Sequence, residues 1–455
     1  MPLTTISVFG LGYVGLATAI CLAKKGHHVI GIDPDMEKVK TVNSGRAPFF
    51  EPQFDRYLED AVRRKTLAAT QGPIANTESA IAYITVGTPS KPGGSIDLAY
   101  VETAARDVGR ALRKSLSYQL VVVKSTVIPG TARKVVRPII EKESGKRCGK
   151  AFGLCSNPEF LREGHAIHDT FRPDRIIIGS EDHEAIRKLE DFYLDFHKPR
   201  IPPLIKTTHE NAELIKYANN AFLATKVSFI NTIASIAERI PRVDVTVVAR
   251  GIGLDPRVGA EFLNAGLGYG GSCLPKDLAA LISLCRSLDY EPELLEAVAV
   301  VNRGQLLKAV EWAFRKLKLL RGKRVAILGL AFKPNTNDMR DAVSIRIVRS
   351  LLEKGARIVV YDPKALKTAK RIFSGPVEYA DSAKECLKDA DGAILVTEWE
   401  EFKRITPQQF RKLMRNPLVY DGRRIYDPYA MANGGVDFVA IGLADEGHEH
   451  WRSLR

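Results

Sequence analysis

The sequence predicts an α/β protein in which two doubly wound parallel sheets are joined by a long central helix. Over residues 1–205, short apolar runs alternate with helix-like stretches, and the same texture returns from Arg321 onward. Between these regions, the chain from His209 to Ile240 contains neither Pro nor Gly. Apolar runs that alternate with helical stretches are typical of parallel sheets covered by helices on both faces.

Length and composition indicate a globular protein of two or three domains. The chain has 455 residues, of which 45% are hydrophobic and 26% are charged. A domain averages roughly 150 residues, and this composition is ordinary for globular proteins. We expect three regions, residues 1–205, 206–300 and 301–455.

The sequence carries no pattern of a membrane, secreted or disulfide-rich protein. No apolar run approaches the ~18 residues that a membrane helix needs. Residues Met1 to Thr5 lack the basic and apolar segments of a secretory signal. The six cysteines are scattered without a C-x-x-C pair, which argues against a disulfide framework or a zinc site. We therefore expect a reduced, cytoplasmic enzyme with no membrane partner.

The formal net charge is +14, and 29 basic but only 19 acidic residues lie from position 301 onward. This surplus indicates either an anionic ligand, such as a nucleotide, or a solvated basic surface, because the two signs are interleaved. Nucleic acid is not expected, since no zinc-finger, RNP-like or aromatic-basic pattern is present.

No metal is expected either. The segment His209–Glu213 lacks the second His of H-E-x-x-H, and His448 and His450 lie in a polar tail.

The first domain is predicted from its apolar runs, which are rich in β-branched residues. The predicted strands are Ile6–Phe9, His28–Ile32, Ile81–Val86, Leu120–Val123, Phe152–Leu154 and Arg175–Ile178.

A glycine motif follows the first strand. Gly10-Leu11-Gly12-Tyr13-Val14-Gly15 has the form G-x-G-x-x-G, and Asp33 closes the second strand. Such glycines let the backbone approach a pyrophosphate at a helix N-terminus, while the acidic residue accepts from ribose hydroxyls. The pattern predicts NAD as the cofactor, because the Asp33 carboxylate would repel the 2′-phosphate of NADP. A glycine turn in an unrelated α/β protein is the alternative.

Two threonines follow later strands of the same domain, Thr88 after Val86-Gly87 and Thr126 after Lys124-Ser125. Ligands of such sheets bind outside the carboxyl ends of the strands, so both residues are candidates for contacts with cofactor or substrate. The alternative is that each one caps a helix.

The central helix is predicted to begin at a capping box, Thr207-x-x-Glu210, and to end before Pro241. Lys216 and Asn220 are four residues apart, so they share a face that could stabilise an oxyanion or be solvated. The apolar positions exceed one narrow stripe, which predicts a dimer interface unless residues 242–300 cover them. These positions are Phe222, Phe229, Ile233 and Ile236.

A glycine-rich loop delivers a cysteine to the start of a helix. The segment Gly268–Asp277 reads G-Y-G-G-S-C-L-P-K-D, with Pro275 suited to a first helical turn. A helix N-terminus and Lys276 both favour the thiolate of Cys273, which predicts a nucleophile rather than a buried, inert thiol.

The last third repeats the pattern of the first. A strand at Arg324–Leu328 ends in Gly329, a helix covers Ser344–Lys354, and a strand at Arg357–Tyr361 ends in Asp362. The Gly-to-Asp spacing is 33 residues rather than 23, and the third glycine of the motif is missing after Gly329. We expect a second, related α/β domain.

Together these motifs resemble the UDP-glucose/GDP-mannose dehydrogenase family of Rossmann-fold enzymes, over essentially the whole chain. The stretch 262–277 and P-D-R-I-I-I-G at 173–179 are most similar to the UDP-glucose branch. The matching motifs are G-L-G-Y-V-G at 10–15, S-T-V-x-P-G at 125–130, N-P-E-F-L-R-E-G at 157–164, L-I-K-Y-A-N-N at 214–220, F-L-N-A-G-x-G-Y-G-G-S-C-L-P-K-D at 262–277 and G-L-A-F-K-P-N-T-N-D-M-R at 329–340.

The resemblance implies a homodimer or higher homo-oligomer that oxidises UDP-glucose to UDP-glucuronate with two NAD. Cys273 would attack the intermediate aldehyde to give a thiohemiacetal, which is oxidised to a thioester and hydrolysed. GDP-mannose and UDP-N-acetylhexosamines remain alternative substrates. The C-terminal domain would bind the nucleotide end of the substrate.

The resemblance also implies roles for single residues. Lys216 and Asn220 would stabilise the oxyanion. Asp277, Thr126 and Glu163 would hold the hydrolytic water and its protons. Besides the glycine motif and Asp33, the residues expected to contact NAD are Lys38, Thr88, Thr126, Glu163, Lys276 and Arg340. Those expected to contact the nucleotide sugar are Glu159, Phe160, Leu161, Arg162, Glu163, Lys216, Asn220, Phe262, Leu263, Asn264, Ala265, Gly266, Gly270 and Lys333.

Two other functions stay open. A two-electron hydroxyacid dehydrogenase could share the N-terminal pattern, although it has no use for a nucleophilic cysteine. A catalytically silent nucleotide-binding protein would not need Cys273, Lys216 and Asp277 together. The number of NADH released per sugar distinguishes these functions: two for the family reaction, one for a simple dehydrogenase and none for a binding protein.

Overall fold

The computed structural model describes residues 3–72 and 79–444. The chain forms two compact units. The N-terminal unit comprises Met1–Asn219 and Ala279–Ser287, and the C-terminal unit comprises Asn220–Leu278 and Leu288–Arg455. His448, His450 and the rest of the tail after Ala444 lie outside the described residues. Nowhere in the described ranges does a helix combine the length and the hydropathy needed to span a bilayer.

In the described part of the N-terminal unit, eight strands form one sheet in the order β3-β2-β1-β4-β5-β6-β7-β8. The strands are β1 Thr5–Phe9, β2 His28–Ile32, β3 Leu67–Thr70, β4 Ile81–Ile84, β5 Gln119–Val123, β6 Phe152–Ser156, β7 Ile176–Gly179 and β8 Leu204–Thr207. Neighbours are parallel except β6 and β7, which meet antiparallel at Ser156 and Gly179. The sheet therefore departs from the predicted parallel arrangement at this pair.

Helices cover both faces of this sheet, as its buried strands require. The sequence of β5 shows why: Leu120 and Val122 pack in one cluster with Leu16, whereas Val121 and Val123 pack in another. Alternate residues of a strand point to opposite faces. The helices are α1 Tyr13–Lys24, α2 Met36–Asn43, α3 Phe54–Arg63, α4 Ala99–Lys114, α5 Arg137–Ser144, α6 Ala166–Phe171 and α7 His183–Phe196, with a π-helical turn at Ala132–Val136.

Two strands of this sheet, β3 and β8, were not predicted. Both lie at sheet edges. The Leu-Ala-Ala-Thr sequence of β3 has few β-branched residues, and Ile205 and Lys206 of β8 are exposed. Edge strands of this kind lack the continuous apolar run of a central strand.

The long central helix, α8, runs from His209 to Ala237 and has 29 residues. Its start differs from the predicted capping box, because Thr208 Oγ1 accepts from the backbone N–H of Asn211 at 3.3 Å. Glu210 is drawn instead to Arg133, whose Nε lies 2.6 Å from its carboxylate. The predicted box at Thr207 is wrong by one residue. The boundary between the two units falls within this helix, after Asn219.

The C-terminal unit repeats the strand order of a Rossmann fold. The strands described there number six and are all parallel, in the order β11-β10-β9-β12-β13-β14. They are β9 Arg324–Leu328, β10 Arg357–Tyr361, β11 Val377–Tyr379, β12 Gly392–Leu395, β13 Leu418–Asp421 and β14 Asp437–Ala440. Numbered within its own unit, this order is 3-2-1-4-5-6, the same order as the first six strands of the N-terminal sheet and of a Rossmann fold. The predicted fold class is therefore confirmed.

The helices after α8 complete this unit, apart from the last turns of α10, which belong to the N-terminal unit. They are α9 Val245–Gly253, α10 Leu274–Ser287, α11 Glu293–Gln305, α12 Leu307–Leu317, α13 Val343–Glu353, α14 Leu366–Ile372, α15 Ala383–Leu387, α16 Glu400–Lys403, α17 Pro407–Leu413 and α18 Pro428–Asn433. The core of the second sheet is one cluster that includes Trp312, Phe402 and Phe410, all fully buried.

Candidate functional site

The glycine motif forms a tight turn between β1 and α1. Gly10 has φ of +93°, a conformation that favours glycine. A Cβ atom at Gly15 would lie 1.8 Å from the carbonyl oxygen of Gly10, so the turn and α1 approach too closely for any side chain. A Cβ at Gly12 would meet nothing within 4 Å. The backbone at the start of α1 is therefore approachable, as a pyrophosphate requires.

Asp33 lies at the carboxyl end of β2, beside this turn, and is buried. Its Oδ2 accepts from the backbone N–H of Leu11 and from Lys38 Nζ, both at 2.8 Å. Lys38, which was expected to contact NAD, is thus held at the same edge of the sheet by Asp33. The carboxylate orients the turn and places a cation beside the expected ribose position.

Tyr13 and Val14 occupy the first turn of α1, which is half-buried. The Tyr13 ring packs on Phe49, with centroids 4.0 Å apart, and Phe49 in turn packs on Phe54 of α3. The aromatic residue of the motif is therefore fixed by the loop before α3.

Thr88 and Thr126 are brought together at the ends of β4 and β5. The Thr88 hydroxyl donates to the carbonyl oxygen of Thr126 at 2.8 Å. The next helical elements begin only at Ala99 and Ala132. Neither threonine is therefore a helix cap, and the pair lies where parallel sheets bind ligands.

A second group in the N-terminal unit is built on the segment after β6. Lys216 Nζ lies 3.1 Å from Glu159 Oε1, and both side chains are buried. The ring of Phe160 lies beneath two cations, 5.3 Å from Lys216 Nζ and 3.8 Å from the guanidinium carbon of Arg175. Glu159 Oε2 also accepts from the backbone N–H of Leu161 at 2.5 Å.

The other two residues of this segment are directed differently. Arg162 forms a two-pronged ion pair with Asp169 of α6, at 2.9 and 2.8 Å. Glu163 is half-buried, and the next backbone N–H, that of Gly164, donates to Glu51 at 2.7 Å. Arg162 therefore anchors the segment to α6, while Glu51 anchors its far end.

Cys273 lies in the C-terminal unit, immediately before α10. The backbone N–H of Asp277 donates to the carbonyl oxygen of Cys273 at 2.8 Å, so Cys273 is the N-cap residue. Its side chain is exposed, whereas Cys21, Cys155 and Cys386 are buried. Burial raises the pKa of those three thiols far above the ordinary value. Among the six cysteines, all of which lie in the described ranges, Cys273 alone combines exposure with a helix N-terminus, a setting that favours thiolate.

The glycines before Cys273 pack against the segment after β9. A Cβ at Gly270 would lie 2.3 Å from the Asp341 carbonyl oxygen, and one at Gly271 would lie 2.7 Å from the Phe332 ring. The backbone N–H of Gly271 donates to the carbonyl of Arg340 at 3.0 Å. These contacts fix the loop that presents the thiol.

Asp277 connects two other predicted residues. Its carboxylate accepts from Asn220 Nδ2 at 2.7 Å and lies 2.6 Å from Lys276 Nζ. The Asp277 side chain is 1% exposed. The predicted oxyanion group and the predicted water-holding group are thus hydrogen-bonded to each other, and Lys276 compensates the buried charge.

The segment Phe262–Gly266, expected to contact the sugar, is pinned at its end. The backbone N–H of Gly266 donates to Asn231 Oδ1 at 2.8 Å, and its carbonyl accepts from Gln305 Nε2 at 2.9 Å. Leu263 and Ala265 are buried in the cluster around Ile230. Their side chains therefore shape the segment, and Asn264 is the exposed position between them.

Two predicted basic residues follow β9. Lys333 Nζ lies 5.6 Å from the Phe332 ring centroid, and Arg340 forms a two-pronged pair with Asp338, with contacts as short as 2.6 Å. Arg423, after β13, was not predicted. It donates to the carbonyls of Val396 at 2.6 Å and Gly268 at 3.2 Å. Its sequence signal is a pair of arginines at a strand end.

The second sheet differs from the first at the acidic residue that follows its second strand. Asp362, the counterpart of Asp33, accepts from five N–H groups and is fully buried. The donors are the backbones of Leu330 at 2.7 Å, Ala331 at 3.0 Å, Lys364 at 2.8 Å and Ala365 at 2.8 Å, and Trp399 Nε1 at 3.0 Å. Such a carboxylate has no acceptor capacity left for ribose hydroxyls.

The segment His209–Glu213 has a structural arrangement. His209 Nδ1 lies 2.9 Å from Ser156 Oγ, Glu210 pairs with Arg133, and Glu213 accepts from backbone N–H groups. Within residues 3–72 and 79–444, no cluster of three or more His, Cys, Asp or Glu side chains has the geometry of a metal site.

Comparison with sequence families identifies the class of protein that this fold and these residues define. Residues 4–197 match the NAD binding domain of the UDP-glucose/GDP-mannose dehydrogenase family, residues 210–304 its central domain and residues 326–428 its UDP binding domain. The chain therefore belongs to the UDP-glucose/GDP-mannose dehydrogenase family. NAD is its cofactor, and a nucleotide sugar is its substrate. The predicted family, cofactor and substrate class are confirmed.

Individual relatives match almost end to end. The chain is 42% identical to the UDP-glucose 6-dehydrogenase TuaD of Bacillus subtilis, covering 96% of this chain and 93% of the relative. It is 43% identical to the UDP-glucose 6-dehydrogenase AglM of Haloferax volcanii, over 96% and 99%. Among solved structures, a UDP-glucose dehydrogenase from Pyrobaculum islandicum has 39% identity and a TM-score of 0.89, over 97% and 98%. A UDP-D-ManNAc dehydrogenase from Pyrococcus horikoshii has 29% identity and a TM-score of 0.85, over 97% and 100%.

Proposed function

We propose that the protein is an NAD-dependent UDP-glucose 6-dehydrogenase that converts UDP-glucose to UDP-glucuronate. The observation that carries the proposal is Cys273, an exposed thiol at the N-cap of α10 beside the Asp277 network. A simple alcohol dehydrogenase does not need such a thiol. UDP-glucose is favoured as the sugar because relatives at 42% and 43% identity are UDP-glucose 6-dehydrogenases.

The reaction has two oxidations and one hydrolysis. The C6 alcohol first loses a proton and a hydride to become an aldehyde. The Cys273 sulfur then bonds to the aldehyde carbon, and the carbonyl oxygen takes up the thiol proton. Loss of a second hydride from that carbon and of the proton from the hydroxyl leaves a thioester. Water replaces the sulfur, which releases the carboxylate and restores the thiol. NAD, when bound, supplies the hydride acceptor for both oxidations.

The protein's own groups handle charge and protons in these steps. Lys216 and Asn220 stabilise the oxyanion as donors held by the Glu159 and Asp277 carboxylates, respectively. Asp277 and Thr126 hold the hydrolytic water, and Glu163 takes part in its proton network. Preorganised donors of this kind contribute strongly to transition-state stabilisation, because they need no reorganisation during the reaction.

The binding residues are divided between two ligands. NAD is held by the glycine motif, with Asp33 on the ribose, and by Lys38, Thr88, Thr126, Glu163, Lys276 and Arg340. The nucleotide sugar is held by Glu159, Phe160, Leu161, Arg162, Glu163, Lys216, Asn220, Phe262, Leu263, Asn264, Ala265, Gly266, Gly270 and Lys333.

The two ligands are also bound by different regions of the chain. Residues 1–205 bind NAD, residues 206–300 are a helical connector, and residues 301–455 bind the nucleotide end of the sugar. The connector also forms a dimer interface. Supporting this, Phe222, Phe229 and Ile236 of α8 are 64%, 51% and 49% exposed. Ile233, the fourth predicted position, instead packs against the cluster around Ile230 within the chain.

Purified protein with NAD and UDP-glucose tests the proposal through absorbance of NADH. We expect two NADH per sugar and UDP-glucuronate as the product. One NADH per sugar would indicate a simple dehydrogenase, and none would indicate a binding protein. Parallel reactions with GDP-mannose and UDP-N-acetylmannosamine identify the sugar, and faster turnover of either one would contradict UDP-glucose as the substrate.

A further inference from the structure

Glu213 is a buried carboxylate of α8 to which the reaction scheme gives no role. Its side chain is 3% exposed. One oxygen, Oε2, accepts from the backbone N–H of Gly130 at 2.6 Å. The other, Oε1, accepts from the backbone N–H of Ala132 at 3.0 Å and from the Ser156 hydroxyl at 3.1 Å. Three donors from two separate segments therefore converge on one carboxylate.

The first segment follows Thr126. A turn closed by the bond from Thr131 N–H to the Ile128 carbonyl, 3.1 Å, connects Thr126 to the two amides that Glu213 holds. The Thr126 backbone is fixed on its other side by the Thr88 hydroxyl, at 2.8 Å. Glu213 and Thr88 thus hold the Thr126 loop from both ends.

The second segment carries Glu159. Ser156 is the last residue of β6, three residues before Glu159. Glu159 pairs with Lys216 at 3.1 Å, and Lys216 lies three residues after Glu213 on the same side of α8. The carboxylate of Glu213 is therefore bonded to, or continuous with, each of the three segments that bear Thr126, Glu159 and Lys216.

We propose that Glu213 is a positioning residue whose ionised carboxylate holds the Thr126 loop, the Glu159 segment and the start of α8 in the geometry that catalysis requires. The inference rests on the proposed function, which gives those three residues their roles. Glu213 itself touches neither substrate nor cofactor in this scheme.

The ionised form is the one that fits, because a carboxylate only accepts hydrogen bonds. A protonated Glu213 would bring a fourth hydrogen to a site with three donors, so one existing bond would be lost. Burial raises the pKa of Glu213 to about 7, against the favourable effect of its hydrogen bonds. Protonation therefore takes place within the working range of an enzyme.

The charged groups around this cluster are paired among themselves. Glu210 of α8 pairs with Arg133 at 2.6 Å, and Arg133 also faces Glu181 before α7 at 3.6 Å. Arg137 of α5 lies 3.7 Å from Glu181. His209 reaches Glu213 only through the Ser156 hydroxyl, and burial lowers the pKa of its imidazole.

The test compares wild type with Glu213→Gln in steady-state oxidation of UDP-glucose between pH 5.5 and 9. The amide keeps the length of the side chain but places a donor against a backbone N–H. We expect kcat at pH 8 to fall about 10- to 100-fold, the effect of one hydrogen bond to a charged group. We expect KM for UDP-glucose and NAD to change much less, and the acid limb near pH 7 to disappear.

Glu210→Gln is the matched control, because Glu210 lies on the same helix but bonds a surface arginine. It should keep both kcat and the acid limb. The ionisation of the Cys273 thiol is measured separately, from the pH dependence of its alkylation by iodoacetamide. That profile should be the same in wild type and Glu213→Gln.

A Glu213→Gln enzyme with wild-type kcat and an unchanged acid limb would overturn the inference while leaving the proposed function intact. A wild-type profile with no limb near pH 7 beyond that of the thiol would also overturn it, without any variant. If wild type oxidises GDP-mannose rather than UDP-glucose, the proposed function fails, and the same comparison with GDP-mannose decides the role of Glu213.

Discussion

At the scale of single residues, the structural environment of each cysteine determines how readily its thiol ionises. Cys155 lies in the middle of the sheet in β6, where burial raises its pKa, whereas Cys273 is exposed at a helix N-terminus. The first site disfavours thiolate and the second favours it. Reactivity should therefore be confined to Cys273.

Replacing Cys273 with Ser should abolish steady-state turnover while NAD and UDP-glucose still bind. The hydroxyl keeps the size of the thiol but is a far weaker nucleophile, so the aldehyde cannot be carried efficiently to the carboxylate. NADH formation and ligand titration by calorimetry measure the two effects. Cys285→Ser is the control and should turn over normally. Release of two NADH per sugar at a near wild-type rate by Cys273→Ser would disprove the covalent mechanism.

Replacing Asp33 with Ser should shift the cofactor preference from NAD toward NADP by about 10- to 100-fold, since a hydrogen bond to a charged group is worth ~1.5–3 kcal/mol. The variant loses the repulsion of a 2′-phosphate, and it also releases Lys38, now 2.8 Å from Asp33, to bind that phosphate. The ratio of kcat/KM values with the two cofactors is the measurement. Asp35→Ser, which replaces the N-cap aspartate of α2 with another residue that caps helices, should leave the ratio unchanged.

Features that local sequence determines could be placed in the fold from the sequence, and those that depend on tertiary contacts could not. The glycine motif and the cysteine before α10 are recognisable within a few residues, and Asp33 is recognisable at the end of the next strand. Glu213 was dismissed with the incomplete H-E-x-x-H pattern, because its partners Gly130, Ala132 and Ser156 are distant in sequence. Arg423 was missed for the same reason.

At the scale of elements, the sequence predicted the C-terminal end of α8 closely and its N-terminal cap incorrectly. The absence of Pro and Gly predicted its extent to within three residues at the C-terminal end, Ala237 against Ile240. The N-terminal cap was wrong by one residue, because Arg133 competes for Glu210. Edge strands β3 and β8 escaped prediction since their sequences carry little of the apolar signal that marks central strands.

The exposed apolar side chains of α8 should form a contact between two copies of the chain. Phe222→Asp combined with Phe229→Asp should therefore convert a dimer or larger oligomer into a monomer, because buried unpaired carboxylates oppose association. Light scattering at low micromolar concentration gives the mass. Leu116→Asp, at a fully exposed position outside α8, should leave the mass unchanged. A monomeric wild type would refute the interface.

At the scale of the whole molecule, Glu213 should make the folded protein less stable as pH rises. Its pKa in the folded protein is about 7, raised from 4.5 by burial. The folded state therefore binds more protons than the unfolded state between these values, and the stability that Glu213 contributes below pH 4.5 is lost as the pH passes 7. At about 1.4 kcal/mol per pH unit, the change is at most roughly 3.5 kcal/mol.

Melting temperatures at pH 5 and pH 8 measure this effect. The fall in melting temperature from pH 5 to pH 8 should be smaller in Glu213→Gln, which cannot ionise, and unchanged in Glu210→Gln. Activity should move in the opposite direction, since catalysis is expected to need the ionised form. Equal pH dependence of melting in wild type and Glu213→Gln would show that the carboxylate does not titrate in this range.

The saturated carboxylate of Asp362 has a kinetic consequence. Because Asp362 cannot accept from a ribose, the described part of each chain has one dinucleotide-binding site. The proposed reaction nevertheless transfers two hydrides to NAD at that site for every sugar. The first reduced nicotinamide must therefore leave and be replaced while the half-oxidised sugar waits. A free aldehyde would diffuse away or react elsewhere during this exchange. A covalent bond to Cys273 would keep it in place, so that the thiol serves as a tether between the two turns of the cycle as well as a nucleophile.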